Sequence, residues 1–302
     1  MKFTFETQVS VREPYRLDLT VDALRRLAAN VVDVVGEDGV YRRALTDRRG
    51  ANLVKVTQPS ARSLRVSIAG REGARWVPVV ERMLGVHVRL DDWYERVQPF
   101  PWLAFLTREL KGLRPPRYPS MWEALAHAIV FQQISIHAAA SIMRRTIEAL
   151  SEPLEHGGGL YFTFMTPHAV LASTEKTLRK AGLSANKIAH LRSAAAAVLD
   201  EMVTEQIVES LPSALAAQRM TAVKGIGAWS AAVVLLRGFG RLDVFPMKDS
   251  GVARSMKALS GNTDIDTHSL LEALGPVRGM LYFHLLLGRV HQLVPSPEDY
   301  TV

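Results

Sequence analysis

The hydrophobic periodicity of this chain changes once, and that change constrains the fold more than any other feature. Through residue 97, apolar and polar residues alternate in short runs: Phe3–Phe5, Gly39–Leu45, Asn52–Val56 and Leu64–Ile68. Alternation sends every second side chain to one face, the pattern of half-buried antiparallel strands. Two helical stretches interrupt these runs, Val21–Val31 with Thr20 as its N-cap, and Ala74–Leu84. The proline-rich segments Gln98-Pro99-Phe100-Pro101 and Arg114-Pro115-Pro116 then mark a boundary. Beyond them the spacing is helical almost throughout.

Ser120 is placed to cap a helix that carries Trp122, Leu125, Ala126 and Ile129 on one face. Gly157-Gly158-Gly159 reads as a loop, and Thr166-Pro167 as a helix start with proline in the first turn. Further helices are predicted near residues 175–181, 185–202, 211–222, 228–237, 249–259 and 277–293. The expected chain is α+β: an antiparallel sheet domain over residues 1–97, then an all-α domain over residues 98–302.

Composition removes several kinds of chemistry. There is no cysteine, which rules out disulfides, a cysteine nucleophile, cysteine-ligated zinc and an iron–sulfur cluster. The nine histidines form no ligand-like cluster; His284 and His291 share a helix face, a spacing common in ordinary packing. The longest apolar runs, such as Ala231–Leu236 and Leu285–Leu287, are too short to span a bilayer. The opening MKFTFETQVS lacks a signal-peptide core. The expectation is a soluble cytoplasmic protein without a membrane partner, nucleoid-associated if bacterial. A net charge of +7 suits an anionic partner such as nucleic acid.

The densest local signal is Thr221-Ala-Val-Lys-Gly-Ile-Gly-Ala-Trp229, where one helix ends, two glycines sit one residue apart, and another helix begins. Such a turn can present backbone N–H groups outward, and the second helix adds its positive N-terminal end near Gly227. Lys224, Gly225, Ile226 and Gly227 would then hold a DNA phosphate, with Lys224 as a point charge at the rim. A tight turn between two helices with no ligand fits the same residues, so both readings stand at this level.

The wider order of motifs resembles the HhH-GPD superfamily of base-excision DNA glycosylases, and within it the 3-methyladenine-DNA glycosylase II family. The residues that carry the likeness are Val223-Lys-Gly-Ile-Gly-Ala-Trp-Ser-Ala231, Leu236-Arg-Gly-Phe239, Asp243-Val-Phe-Pro246 and Lys248-Asp249. Upstream, Phe131-Gln-Gln-Ile-Ser135, Phe164-Met-Thr-Pro167 and Gly182-Leu-Ser-Ala-Asn-Lys187 fall in matching order. The likeness is strongest from about Leu84 to Leu293. The strand-rich N-terminus resembles the TATA-binding-protein-like domain that precedes the helical core in this family.

The resemblance implies base flipping, excision of a damaged base from double-stranded DNA, and Asp249 as the catalytic carboxylate. Cleaving an N-glycosidic bond builds positive charge on the sugar, which a carboxylate beside it stabilises. Asp249 also sits where a helix N-cap belongs, and the two roles are compatible. Asp243, Asp264 and Asp266 read as loop or capping residues. Bifunctional relatives carry a lysine just after the hairpin, where this chain has Trp229, so hydrolysis without a lyase step is expected. By position, Gln133 is the side chain that fills the gap left by a flipped base, with Gln132 as the alternative.

The pocket departs from the family pattern. Two positions aromatic in the best-known members are Val233 and Leu286 here. Trp229, Trp122, Phe131, Tyr282 and Leu286 are the candidate pocket residues, for an alkylated purine first. The family also binds a monovalent cation, Na+ or K+, at its hairpin. The matching ligands here are the carbonyls of Thr221, Val223 and Ile226, with no cofactor required for the reaction. A monomer is expected. The competing readings are a glycosylase for oxidised or deaminated bases on the same fold, and a non-catalytic helix-hairpin-helix DNA-binding module.

Overall fold

The computed structural model describes residues 2–47, 49–261 and 265–293. Five strands form one antiparallel sheet: β1 (Phe3–Ser10), β2 (Asp33–Val35), β3 (Tyr41–Asp47), β4 (Gly50–Ser60) and β5 (Ser63–Ala69). Their order is β1-β5-β4-β3-β2. In register, Val66 faces Val56 on one side and Thr7 on the other, while Ile68 faces Val54. The period of two therefore gathers Leu64, Val66, Ile68, Val54 and Val56 into the core beneath the helices.

Two helices cover that face, α1 (Leu17–Arg25) and α2 (Val77–Met83), the second led by a 3-10 turn at Gly73–Trp76. Helix α1 begins before the expected cap. Thr20 lies inside it, buried, with its hydroxyl donating to the Arg16 carbonyl at 2.8 Å. Leu17, Val21 and Leu24 extend the apolar stripe one turn earlier than a cap at Thr20 allows. Nor does the helix reach Val31. Arg26 turns left-handed at φ 64°, and Asn30 Oδ1 accepts from the N–H groups of Val32 and Asp33. That side-chain turn diverts the chain into β2.

Among the described residues, the rest is helical with one exception. The helices are α3 (Asp91–Arg96), α4 (Pro101–Glu109), α5 (Met121–Val130), α6 (Ile136–Leu150), α7 (Pro167–Ala172), α8 (Glu175–Lys180) and α9 (Ala185–Leu199). They continue with α10 (Glu205–Ser210), α11 (Ser213–Thr221), α12 (Ala228–Phe239), α13 (Ser250–Leu259), α14 (Thr267–Leu274) and α15 (Met280–Val290). Hydroxyls of Ser120, Ser135, Thr166 and Ser184 cap α5, α6, α7 and α9.

The exception lies at Gly157-Gly158-Gly159. It is the turn of a hairpin, β6 (Pro153–His156) and β7 (Gly159–Phe162), with Gly157 at φ 56° and Gly158 at φ 79°. Tyr161 packs it on Ala44, Leu53 and Ala69, the face of the large sheet away from α1. Strands of four residues are too short to show an alternation in the sequence.

Helix α5 is buried along its whole length and packs on α9 and α12. A second core joins α3 and α4 to α14 and α15, and draws in Leu19 and Ala23 of α1. Sheet and helices are also joined by charge. Arg43 of β3 is buried between Asp33, at 2.5 Å, and Glu123 of α5, at 2.6 and 2.8 Å. The Tyr41 hydroxyl donates to Asp33 at 2.7 Å. This packing fixes α5, and so everything that hangs from its C-terminal end.

Candidate nucleic-acid and catalytic site

Residues 222–227 connect α11 to α12. Val223 and Ile226 are buried and anchor the connection, and the Ile226 N–H donates to the Val223 carbonyl at 3.0 Å. Gly225 has φ 92°, and a β-carbon there would lie 2.3 Å from the ring of His190 on α9. Only glycine fits. Gly227 has ordinary geometry and open space around it, and caps α12 without a side chain. Among the described residues no protein acceptor takes the N–H groups of Gly225, Gly227 or Ala228. With exposed Lys224 beside them, they leave unpaired donors and a positive charge at the start of a twelve-residue helix, an arrangement with the chemistry to take an anion.

The carbonyls of Thr221 and Ile226 likewise accept no hydrogen bond among the described residues, and Val223 accepts one. Three hard oxygen donors on one turn fit a monovalent cation in kind.

Asp249 is the N-cap of α13. Its Oδ1 accepts from the N–H of Gly251 at 2.8 Å and of Val252 at 3.0 Å. Its Oδ2 accepts from the indole N–H of Trp229 at 2.9 Å. Lys248, just before it, takes a left-handed φ of 61°, so the chain turns sharply into the cap. The carboxylate is thus fixed by three donors from two elements, yet stays partly exposed at an open cleft of about 240 Å³. Phe245, Met247, Lys248, Val252 and Met256 share that cleft. Asp266 caps α14, and Asp243 is exposed; Asp264 lies outside the described residues.

The Gln-Gln loop divides its two glutamines. Gln133 is exposed and takes a left-handed φ of 57°. Gln132 is not a second wedge. Its amide donates to the Gly225 carbonyl at 2.9 Å and to the Ser230 hydroxyl at 2.7 Å, so it binds the hairpin from inside.

The candidate pocket residues do not all converge. Trp122 is a core residue whose indole donates to the Met165 carbonyl at 2.7 Å. Its ring made it a candidate to stack on a base, but the helix that carries it is buried along its whole length. Trp229 presents its edge to Asp249, and Leu286 is half-buried on α15. Phe131 is stacked under the guanidinium of Arg26 at 4.7 Å.

Arg26 is the residue that sequence reasoning missed. It is buried, and burial alone would lower its pKa; nearby Tyr118, Tyr282 and Asp249 outweigh that and raise it. Its guanidinium lies over the Phe131 ring, and the partial and full negative charges of Tyr282 and Asp249 act on it through space. Its side chain reaches the helical core from the sheet side because α1 ends there in a left-handed turn, and no local pattern announces that.

A family model for HhH-GPD superfamily base excision DNA repair proteins matches residues 126–276, which include the Gln-Gln loop, the hairpin and Asp249. The chain belongs to the HhH-GPD superfamily. It is 26% identical over 170 residues to a DNA-3-methyladenine glycosylase of Bacillus subtilis, covering 56% of each chain. It is 27% identical over 235 residues to DNA-3-methyladenine glycosylase 2 of Escherichia coli, covering 77% of this chain and 80% of that one. The fold matches a 3-methyladenine DNA-glycosylase from Archaeoglobus fulgidus with a TM-score of 0.79 and 25% identity, over 95% of this chain and all of that one. The chain spans about half the length of several curated relatives it matches.

Proposed function

We propose that this HhH-GPD chain is a monofunctional DNA glycosylase of base excision repair, acting as a monomer on damaged double-stranded DNA. The hairpin holds a phosphate, Gln133 fills the stack, and the flipped nucleotide brings its sugar to Asp249. The observation that carries this reading is the carboxylate itself: pinned by Gly251, Val252 and Trp229, with a face left open to a cleft. Preorganised negative charge is what an oxocarbenium-like transition state needs. The same carboxylate can orient and deprotonate the attacking water, so the product is a free base and an abasic site. Trp229 cannot attack the sugar as an amine would, which supports hydrolysis without strand cleavage. A Na+ or K+ held by the carbonyls of Thr221, Val223 and Ile226 would add positive charge behind the bound phosphate.

Alkylated purines are the first substrate class, by likeness to the relatives. One observation favours a second. Arg26 sets a positive charge over the Phe131 ring at 4.7 Å. A cation near the site repels a cationic alkylated base and tolerates a neutral deaminated or oxidised one. Base release measured across alkylated, deaminated and oxidised duplexes tests both. Release from one lesion class, abolished in Asp249→Asn while DNA binding persists, is the expected result. Tight binding with no release from any lesion would leave a DNA-binding module instead.

A further inference from the structure

Helix α9 touches both working parts of the DNA-binding surface, one turn apart. Lys187, in its first turn, sends its ammonium to the carbonyls of Ile129 at 3.3 Å, Val130 at 2.5 Å and Gln132 at 2.8 Å. Those carbonyls are the C-terminal end of α5 and the loop that presents Gln133. His190, three residues on, lies under the hairpin and fills the space a side chain at Gly225 would need. Gln132 closes the triangle from the loop to the hairpin, through Gly225 and Ser230.

The chemistry of Lys187 argues that this arrangement has a purpose. Three carbonyl acceptors match the three N–H groups of an ammonium, and it makes no ion pair with a carboxylate among the described residues. Loss of solvation pushes its pKa down to about 8, so the contact carries a cost. The negative end of α5 and the free carbonyls of the loop repay it. The result is a loop tied at the Gln132 carbonyl to the same ammonium that grips the last two carbonyls of α5, while the Gln133 side chain stays exposed.

We infer that Lys187 and Gln132 are positioning residues that lock the Gln133 loop to the hairpin, so that gripping the backbone and inserting the wedge happen as one rigid motion. This rests on the reading of Gln133 as the wedge. Neither Lys187 nor Gln132 touches the reacting atoms. A rigid spacing between grip and wedge lets the energy of phosphate binding act on the stack, whereas a slack loop would bind DNA without opening it.

The test uses the whole protein and a duplex carrying a tetrahydrofuran abasic analogue beside 2-aminopurine, whose fluorescence rises when the stack opens. It needs neither a known lesion nor catalysis. Wild type gives the rise and Gln133→Ala loses it. Lys187→Met and Gln132→Ala are expected to slow insertion about 10- to 100-fold, the scale of an ångström-level misplacement. The affinity of Lys187→Met for undamaged duplex should stay within about twofold of wild type, because its phosphate contacts are untouched. Gln132→Ala also frees the Gly225 carbonyl of the hairpin and is judged by its insertion rate at saturating protein. Full-speed insertion in both Lys187→Met and Gln132→Ala overturns the inference. If Gln133→Ala itself keeps the rise, the wedge assignment fails first and takes this inference with it. Loss of Asp249 function leaves the readout intact, so the catalytic reading is judged separately.

Discussion

The indole N–H of Trp229 donates to Asp249 Oδ2 at 2.9 Å, which joins the helix after the hairpin to the carboxylate at the head of α13. Trp229→Phe keeps an aromatic ring and deletes that donor. A hydrogen bond to a charged group contributes about 1.5–3 kcal/mol, so single-turnover base release should fall roughly 10- to 100-fold. Asp249→Asn should cost about a thousandfold or more, as expected when preorganised charge is removed. Asparagine still caps a helix, so the melting temperature of that variant should barely move. Rate and melting curves measured together separate chemistry from folding. A large fall in melting temperature for Asp249→Asn would make Asp249 chiefly structural.

The two hairpin glycines should respond differently to alanine. Gly225→Ala meets both a left-handed φ and the His190 ring, and is expected to destabilise by about 1–3 kcal/mol and to weaken DNA binding. Gly227→Ala meets neither and should stay within about 1 kcal/mol of wild type, with a smaller loss of affinity. Urea unfolding and a duplex titration for each variant make the comparison. Equal destabilisation by the two would show that the Gly225–His190 contact is not what fixes the turn.

Periodicity revealed the sheet and most helices because burial on one face imposes it directly. Capping residues before helices were legible for the same local reason: the hydroxyls of Ser120 and Thr166 and the carboxylate of Asp249 all cap where expected. What the sequence concealed depends on distant partners. Thr20 resembles a cap, yet packing of Leu17 and Leu19 pulls the helix past it. Trp122 resembles a pocket aromatic, but α5 is buried on every side, so no face of it was free to line a site. Gln132 and Gln133 are indistinguishable as letters; the Gly225 carbonyl, ninety-three residues away, takes one and leaves the other. Arg26 belongs to the site only because the sheet domain docks where it does.

The buried Arg43 triad predicts a large cost for removing one partner. Glu123→Ala leaves Arg43, 1% exposed, paired with Asp33 alone and with a buried Nη2 donor unmet, and should destabilise by about 2–3 kcal/mol. Asp18→Ala breaks the pair with Arg16, where both side chains are more than half exposed, and should cost at most about 1 kcal/mol. Chemical denaturation of the two variants decides the matter. A small effect for Glu123→Ala would mean that the sheet and the helical core do not depend on this bridge.

Acid should destabilise the fold through His284. The imidazole is buried on α15, its Nδ1 lies 2.9 Å from the Met280 carbonyl, and its ring sits 4.7 Å from that of Trp93. Burial lowers its pKa from 6.5 to about 4, against a small upward pull from the Met280 carbonyl. In the unfolded chain it titrates near its ordinary value. Between pH 6.5 and about 4 the unfolded state therefore holds the extra proton. Stability from this group is complete above pH 6.5, falls as the pH drops through that window, and levels off below about 4. A gap of that width corresponds to about 3 kcal/mol. His127, stacked on Tyr118 and also held well below its usual pKa by burial, adds a loss of the same sign. His284→Phe preserves a ring against Trp93 and removes one titration, so its stability should decline less steeply than wild type over the same window. Urea unfolding at a series of pH values measures the two slopes, and parallel slopes would mean that His284 titrates normally in the folded protein.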